Sequence, residues 1–269
     1  MPVGIITGAS KGLGRALAEA LAARGWDLVL DARGEAAPAE AAAVAGRYGT
    51  RVSALPGDVT DAGHRAALVA AARALGGLDL LVGNASALGA EPLVRLDRLP
   101  PAGLRRALEV NVTAALGLVQ EALPLLRAAA AGTVIAVGSD AAAQAYATWG
   151  GYGASKAALD QLAAVLAVEE PGLRVWAVDP GDMATDLYAA AVPDDRDERP
   201  APDTVVPAFL RLLDERPASG RYAAPTLVAG RRTRSCGYRR NGPPGCRPSS
   251  AVRGGPGTTY GSSCPTAPG

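Results

Sequence analysis

The chain has 269 residues, 49% of them apolar, enough to build the core of one large α/β domain or two small ones, and this excludes disorder of the whole chain. The formal net charge of +1 hides an asymmetry: from Gly230 onward there are seven arginines and no acids, which leaves 20 basic and 26 acidic residues before that point, a net of −6. That mildly acidic body argues against a nucleic-acid surface on it, and the absence of both a leader-like N-terminus and any uncharged apolar run of roughly 18 residues predicts a cytoplasmic protein without a membrane span.

Short β-branched or leucine-rich runs alternate with alanine-rich stretches up to about residue 229, the pattern of βαβ units around a parallel sheet. The first predicted strand, residues 3–7, runs into "TGASKGLG" (Thr7 to Gly14) and then a helix on which Leu13, Leu17 and Leu21 recur at i+4 until Gly25 ends it. Further strands are predicted over residues 27–30, 52–56, 78–83, 133–137 and 175–178, with a short last one at 221–227. Long helices are predicted over 104–127 and 152–169. Both are apolar around much of their circumference, which suits either a helix-mediated homodimer or homotetramer or a wide internal core face. Residues 182–203 form a long, acidic, proline-punctuated segment of the kind that serves as a lid or is disordered.

Beyond Gly230 the residues turn to glycine, proline, arginine and serine, and all three cysteines (Cys236, Cys246, Cys264) lie there at spacings that match no zinc pattern. The expected organisation is therefore a domain over residues 1–229 and a tail over 230–269. Such a tail is expected to be disordered or to be the product of a shifted reading frame; binding of a polyanion by its arginines is a further alternative. No metal site is expected.

Lysine use narrows the search for chemistry. Against 25 arginines there are two lysines, Lys11 and Lys156, and before the tail only two asparagines, Asn84 and Asn111. Lys11 lies in the glycine-rich turn, where Gly8, Gly12 and Gly14 let the backbone approach a pyrophosphate that sits on free N–H groups at the helix N-terminus. Ser10 and Leu13 belong to the same turn. Lys156 stands four residues after Tyr152 in "GYGASK", so the two project from one helix face. A free tyrosine titrates near pH 10 and is a poor base; a neighbouring ammonium is expected to lower it.

The spacing Gly-x3-Gly-x-Gly, together with "LDAR" (Leu30 to Arg33), "GDVT" (Gly57 to Thr60), "GNAS" (Gly83 to Ser86), "EVN" (Glu109 to Asn111), "GS" ending a strand at Ser139, the Tyr152/Lys156 pair and "DPGDMAT" (Asp179 to Thr185), resembles the short-chain dehydrogenase/reductases over roughly residues 2–228. The resemblance implies a single doubly wound parallel sheet of Rossmann type, with strand order 3-2-1-4-5-6 and a seventh strand possible in that fold. It implies a hydride-transferring oxidoreductase acting on a small carbonyl or secondary alcohol, with Tyr152 as general acid/base, its phenol lowered by the Lys156 ammonium together with the positive nicotinamide ring, Ser139 on the substrate oxygen, Lys156 on the nicotinamide ribose and Asn111 holding a relay water. For the cofactor it implies contacts from Asp58 and Val59 to adenine, from Asn84 and Ala85 beside the central strand, and from Pro180, Gly181 and Thr185 at the carboxamide and diphosphate. Arg33 and Lys11 stand where NADP-preferring members carry cations for the 2′-phosphate, which favours NADP; Asp31 is a counter-signal, since an acid near this strand end can bind ribose hydroxyls and leaves NAD open. Gly83 and Ser86 depart from the family's Asn-Asn-Ala-Gly. Tyr146, Trp149 and Tyr188 are candidate pocket walls. A rival reading is a non-catalytic dinucleotide sensor or scaffold on the same fold.

Overall fold

A computed structural model describes residues 1–34, 43–44, 47–229 and 236–237 of the chain. Seven strands, β1 (Val3–Ile6), β2 (Asp27–Ala32), β3 (Val52–Pro56), β4 (Leu80–Gly83), β5 (Thr133–Val137), β6 (Arg174–Asp179) and β7 (Gly220–Ala223), are joined by helices α1 (Gly12–Ala23), α2 (Ala62–Leu75), α3 (Pro101–Leu108), α4 (Ala115–Ala128), α5 (Gly150–Glu169), α6 (Asp186–Ala191), α7 (Val206–Glu215) and α8 (Ala224–Val228). The seven strands pair in parallel in the order 3-2-1-4-5-6-7. The parallel sheet expected from the alternation of elements and the doubly wound order implied by the resemblance are therefore present, with the additional strand beyond β6.

Helices on both faces explain the sequence of the central strands. β1, β2 and β5 are buried at every position, as a parallel sheet covered on both sides requires. One apolar cluster packs α1 and α7 on the sheet through Leu13, Leu17, Leu21, Phe209 and Leu212. The other packs α2, α4 and α5 through Leu68, Leu118, Leu126 and Leu159. Asp61 caps α2, its side chain accepting from the Gly63 N–H, and Gly76 closes that helix with φ of 118°.

Three expectations need correction. The helix predicted over 104–127 is interrupted by a π-helical turn, Glu109–Ala114, which carries Asn111 and widens the backbone at that residue. The strand predicted over 221–227 ends at Ala223, because Pro225 lacks the N–H that a further ladder bond needs and sits in the first turn of α8. The lid segment is not structureless: it contains α6, capped by Thr185 through the Tyr188 N–H, and reaches a 3₁₀ turn at Pro202–Val205. The expected disordered tail lies outside the described residues except for a two-residue strand, β8 (Cys236–Gly237), antiparallel to β7.

Candidate active site

The glycine-rich turn leaves β1 for α1 with Gly8 and Gly12 at φ of +64° and +57°, values that L side chains rarely adopt. At Gly14 the limit is space, since a Cβ would lie 2.5 Å from Gly8 O and 2.6 Å from Asn84 Nδ2. Asn84 braces the turn from behind. Its Nδ2 donates to Thr7 O at 2.8 Å and Gly8 O at 3.2 Å, while the Asn84 and Ala85 amides both donate to Thr7 Oγ1 at 2.9 Å.

From this turn a single cleft runs across the ends of the strands. It brings together Ser10, Lys11, Leu13, Arg33, Asp58, Val59, Ser139, Tyr152, Lys156, Pro180 and Thr185, along with the Gly8, Gly12 and Gly181 backbone and the Asn84–Ala85 segment. Trp149 and Tyr188 line it as expected. Tyr146 is half-exposed and gives its hydroxyl hydrogen to Asp140 Oδ2 at 2.7 Å.

Two acids do not stand free where the cleft passes the ends of β2 and β3. Asp58 accepts from the Thr60 N–H and hydroxyl and from Arg106 Nη2 at 3.0 Å; the Thr60 amide above all holds its carboxyl down to about 2, against a smaller opposing effect of burial. Asp31 is buried, with one oxygen on the Gly8 N–H at 3.0 Å and the other 2.7 Å from His64 Nε2. Burial pushes its carboxyl above the usual range, and His64 and Gly8 pull against that. The counter-signal in "LDAR" is thus turned inward. Arg33 is exposed on the rim, and Lys11 reaches across the mouth of the cleft to Asp186 at 2.6 Å.

At the other end α5 presents Tyr152 and Lys156 together. Lys156 is 2% exposed and donates from Nζ to Val137 O at 2.8 Å, with Nζ 5.5 Å from the Tyr152 ring centroid. Burial brings the ammonium down to about 8, and the Asp160 carboxylate, one turn further along α5, partly opposes it. Tyr152, packed edge-on against Trp149 at 5.7 Å, is pushed up to about 12 by burial, with Ser86 as a weaker opposing hydrogen-bond partner and Asp179 and Asp140 adding to the rise. In the chain by itself burial sets the phenol, and the Lys156 ammonium gives its hydrogen bond to a main-chain carbonyl; the expected lowering belongs to that ammonium acting together with a positive nicotinamide ring.

Ser139 ends β5 and caps a short 3₁₀ turn; its Oγ accepts from the Ala141 N–H at 3.2 Å and lies 3.3 Å from Asp140 Oδ1. Asn111 sits behind the cleft wall. Its Oδ1 accepts from Ser86 Oγ and the Ala87 N–H, and its Nδ2 donates to Ala87 O and Ser155 Oγ. All four hydrogen-bonding positions of that side chain are used, so any water held at Asn111 falls to the main chain of the π-turn. The departure at Ser86 also has a use, since Ser86 links Asn111 to the neighbourhood of Tyr152.

A family profile for short-chain dehydrogenases matches residues 2–196. The chain belongs to the short-chain dehydrogenase family. It is 36% identical to the cis-4-hydroxycyclohexanecarboxylate dehydrogenase of Sinomonas cyclohexanicum over 231 residues, 84% of this chain and 86% of that one. Among solved structures, a short-chain dehydrogenase of Shigella flexneri complexed with NADP superposes with a TM-score of 0.77 at 28% identity, covering 83% of this chain and 97% of that one. An alcohol dehydrogenase of the archaeon Thermococcus sibiricus complexed with 5-hydroxy-NADP gives 0.75 at 26% identity, covering 83% and 95%. As a member of this family the dehydrogenase is an oxidoreductase. No helix among its described residues is long and apolar enough to cross a membrane.

Motif reading missed two residues that shape this dehydrogenase's site. Arg221 on β7 donates from Nε to Asp160 Oδ2 and from Nη2 to Ser139 O, both at 2.8 Å; no local pattern marks it. His64 carried a signal that went unused, being the only histidine in the chain.

Proposed function

We propose that the protein is an NADP(H)-dependent carbonyl reductase, working reversibly on a secondary alcohol, with Tyr152 as the proton donor. The observation that carries this reading is the burial of Tyr152 and Lys156 side by side on α5, in the same cleft onto which the glycine turn opens. Residues 1–229 form the catalytic domain in this reading.

The cradle fits a dinucleotide. Gly8, Gly12 and Gly14 leave a concave backbone turn where side chains would intrude, at the positive end of the α1 dipole. Arg33 and Lys11 are the cations for a 2′-phosphate, a choice supported by the engagement of Asp31 elsewhere; the NADP complexes of the Shigella and Thermococcus relatives support it too. The nicotinamide supplies the hydride.

The chain's own groups manage the oxygen and its proton. Ser139 Oγ donates to the substrate carbonyl oxygen in place of its long contact to Asp140, polarising the carbonyl. Tyr152 passes its phenolic proton to that oxygen as negative charge develops on it. A phenol held at about 12 stays protonated at neutral pH, which suits the reducing direction. Lys156, as the ammonium below about pH 8, stabilises the phenolate that is left, and its Val137 contact fixes where the charge sits. Trp149, Leu187 and Tyr188 keep water from the reacting centre by packing around it. Exposed Leu116 on α4 and Val165 on α5 support assembly of copies through those helices.

The test is oxidation of NADPH across a panel of aldehydes, ketones and quinones, with Tyr152→Phe as the blank. Carbonyl-dependent oxidation abolished in the phenylalanine variant is the expected result. Binding of NADPH without turnover of any carbonyl, and without an effect of the substitution, would instead establish a dinucleotide sensor.

A further inference from the structure

Asp31 is the acid that the end of β2 offers to the adenosine part of the cleft, and the structure turns it away from that role. Its Oδ2 accepts the Gly8 N–H at 3.0 Å, its main-chain carbonyl accepts the Ala9 N–H at 2.8 Å, and its Oδ1 is hydrogen-bonded with His64 Nε2 at 2.7 Å. The two side chains are 3% and 8% exposed. His64 comes from the first turn of α2 and reaches Asp31 by lying flat over Gly57, where a Cβ would fall 2.2 Å from its Nδ1. Gly57 therefore admits the imidazole ring.

A buried carboxylate needs every partner it has. Without the imidazole, Asp31 keeps only the Gly8 amide, and the nearest way to regain hydration is to rotate toward the cleft it already borders. There it would stand two residues from Arg33, near the place where the ribose 2′ substituent is read. A carboxylate at that place accepts from a ribose hydroxyl and repels a 2′-phosphate.

We propose that His64 is a specificity-determining positioning residue: by holding the Asp31 carboxylate under the glycine turn, it withdraws that acid from the adenosine ribose and leaves Arg33 to meet the 2′-phosphate. This rests on the reading of the cleft as an NADP(H) site.

The experiment measures Kd for NADPH and for NADH by fluorescence titration on the full chain, with thermal melts as the control for folding. His64→Leu is expected to move the NADPH-to-NADH preference toward NADH by about tenfold, the size expected for one lost buried hydrogen-bond partner. His64→Gln, which retains an N–H donor, restores most of the preference. The double variant His64→Leu/Asp31→Asn restores it as well, because the acid that turns outward has lost its charge. Asp31→Asn alone keeps the NADPH preference, and this variant decides the matter should His64→Leu fail to fold: loss of preference in it overturns the proposal. An unchanged ratio in folded His64→Leu, or an equal loss of both cofactors, also overturns it while leaving the NADP(H) reading intact. Wild-type protein that binds neither cofactor overturns that reading and this inference with it.

Discussion

Arg221 Nη2 donates to the main-chain oxygen of Ser139 at 2.8 Å across 82 residues of sequence, while its Nε holds Asp160 at 2.8 Å. One guanidinium on β7 therefore ties the end of β5, where the substrate oxygen is expected, to the turn of α5 that follows Lys156. Its fork geometry allows both bonds at once, which a lysine cannot reproduce.

Replacing Arg221 should thus act on turnover. Arg221→Met is expected to lower kcat by about tenfold or more, as loss of a charged hydrogen bond to a catalytic strand end implies, with KM for NADPH little changed. Arg221→Lys should recover only part. Steady-state kinetics at varied cofactor separate these outcomes from a general loss of fold.

Lys156 sets a pH dependence with a definite sign. Its ammonium is held near 8, below the usual lysine range, by burial. The cation proposed to stabilise the Tyr152 phenolate is present below that value and is lost as pH rises through it. The rate of carbonyl reduction at saturating NADPH should therefore fall above about pH 8, a dependence read from kcat between about pH 6 and about pH 10. A flat profile over that range would remove Lys156 from the proton step.

Gly14→Ala should damage both fold and cofactor binding. The new Cβ would meet Gly8 O at 2.5 Å and Asn84 Nδ2 at 2.6 Å, neither of which can retreat without breaking the turn. A loss of about 1–3 kcal/mol in unfolding free energy is expected for such overpacking, measured by urea denaturation, together with weaker NADPH binding.

The Lys11–Asp186 pair joins the glycine turn to α6, with side chains 65% and 73% exposed. Asp186→Asn should release Lys11 for the 2′-phosphate and tighten NADPH binding by roughly two- to fivefold, the modest scale of an exposed ion pair, and leave NADH unchanged. Titrations at two salt concentrations check it, since the gain should shrink as salt screens the charges.

Much of this was legible along the chain because its causes are local. A strand, a Gly-x3-Gly-x-Gly turn and a helix with leucines at i+4 follow from backbone sterics and helical period over a few residues. Tyr152 and Lys156 at i,i+4 must share a face whatever surrounds them. The alternation of strand and helix likewise determined a parallel sheet of βαβ units. The directions of charged side chains at the ends of strands had no such cause. Nothing within ten residues of Asp31 could tell whether its carboxylate faces ribose or His64, because its partner arrives 33 residues later on α2. The same holds for the phenol of Tyr152, whose pKa answers to burial by the folded chain more than to the lysine beside it in sequence. Sequence spacing determined which groups share a face or a turn; tertiary packing decided which of them are buried, paired or open to the cleft, since desolvation and long-range hydrogen bonds exist only once distant segments meet.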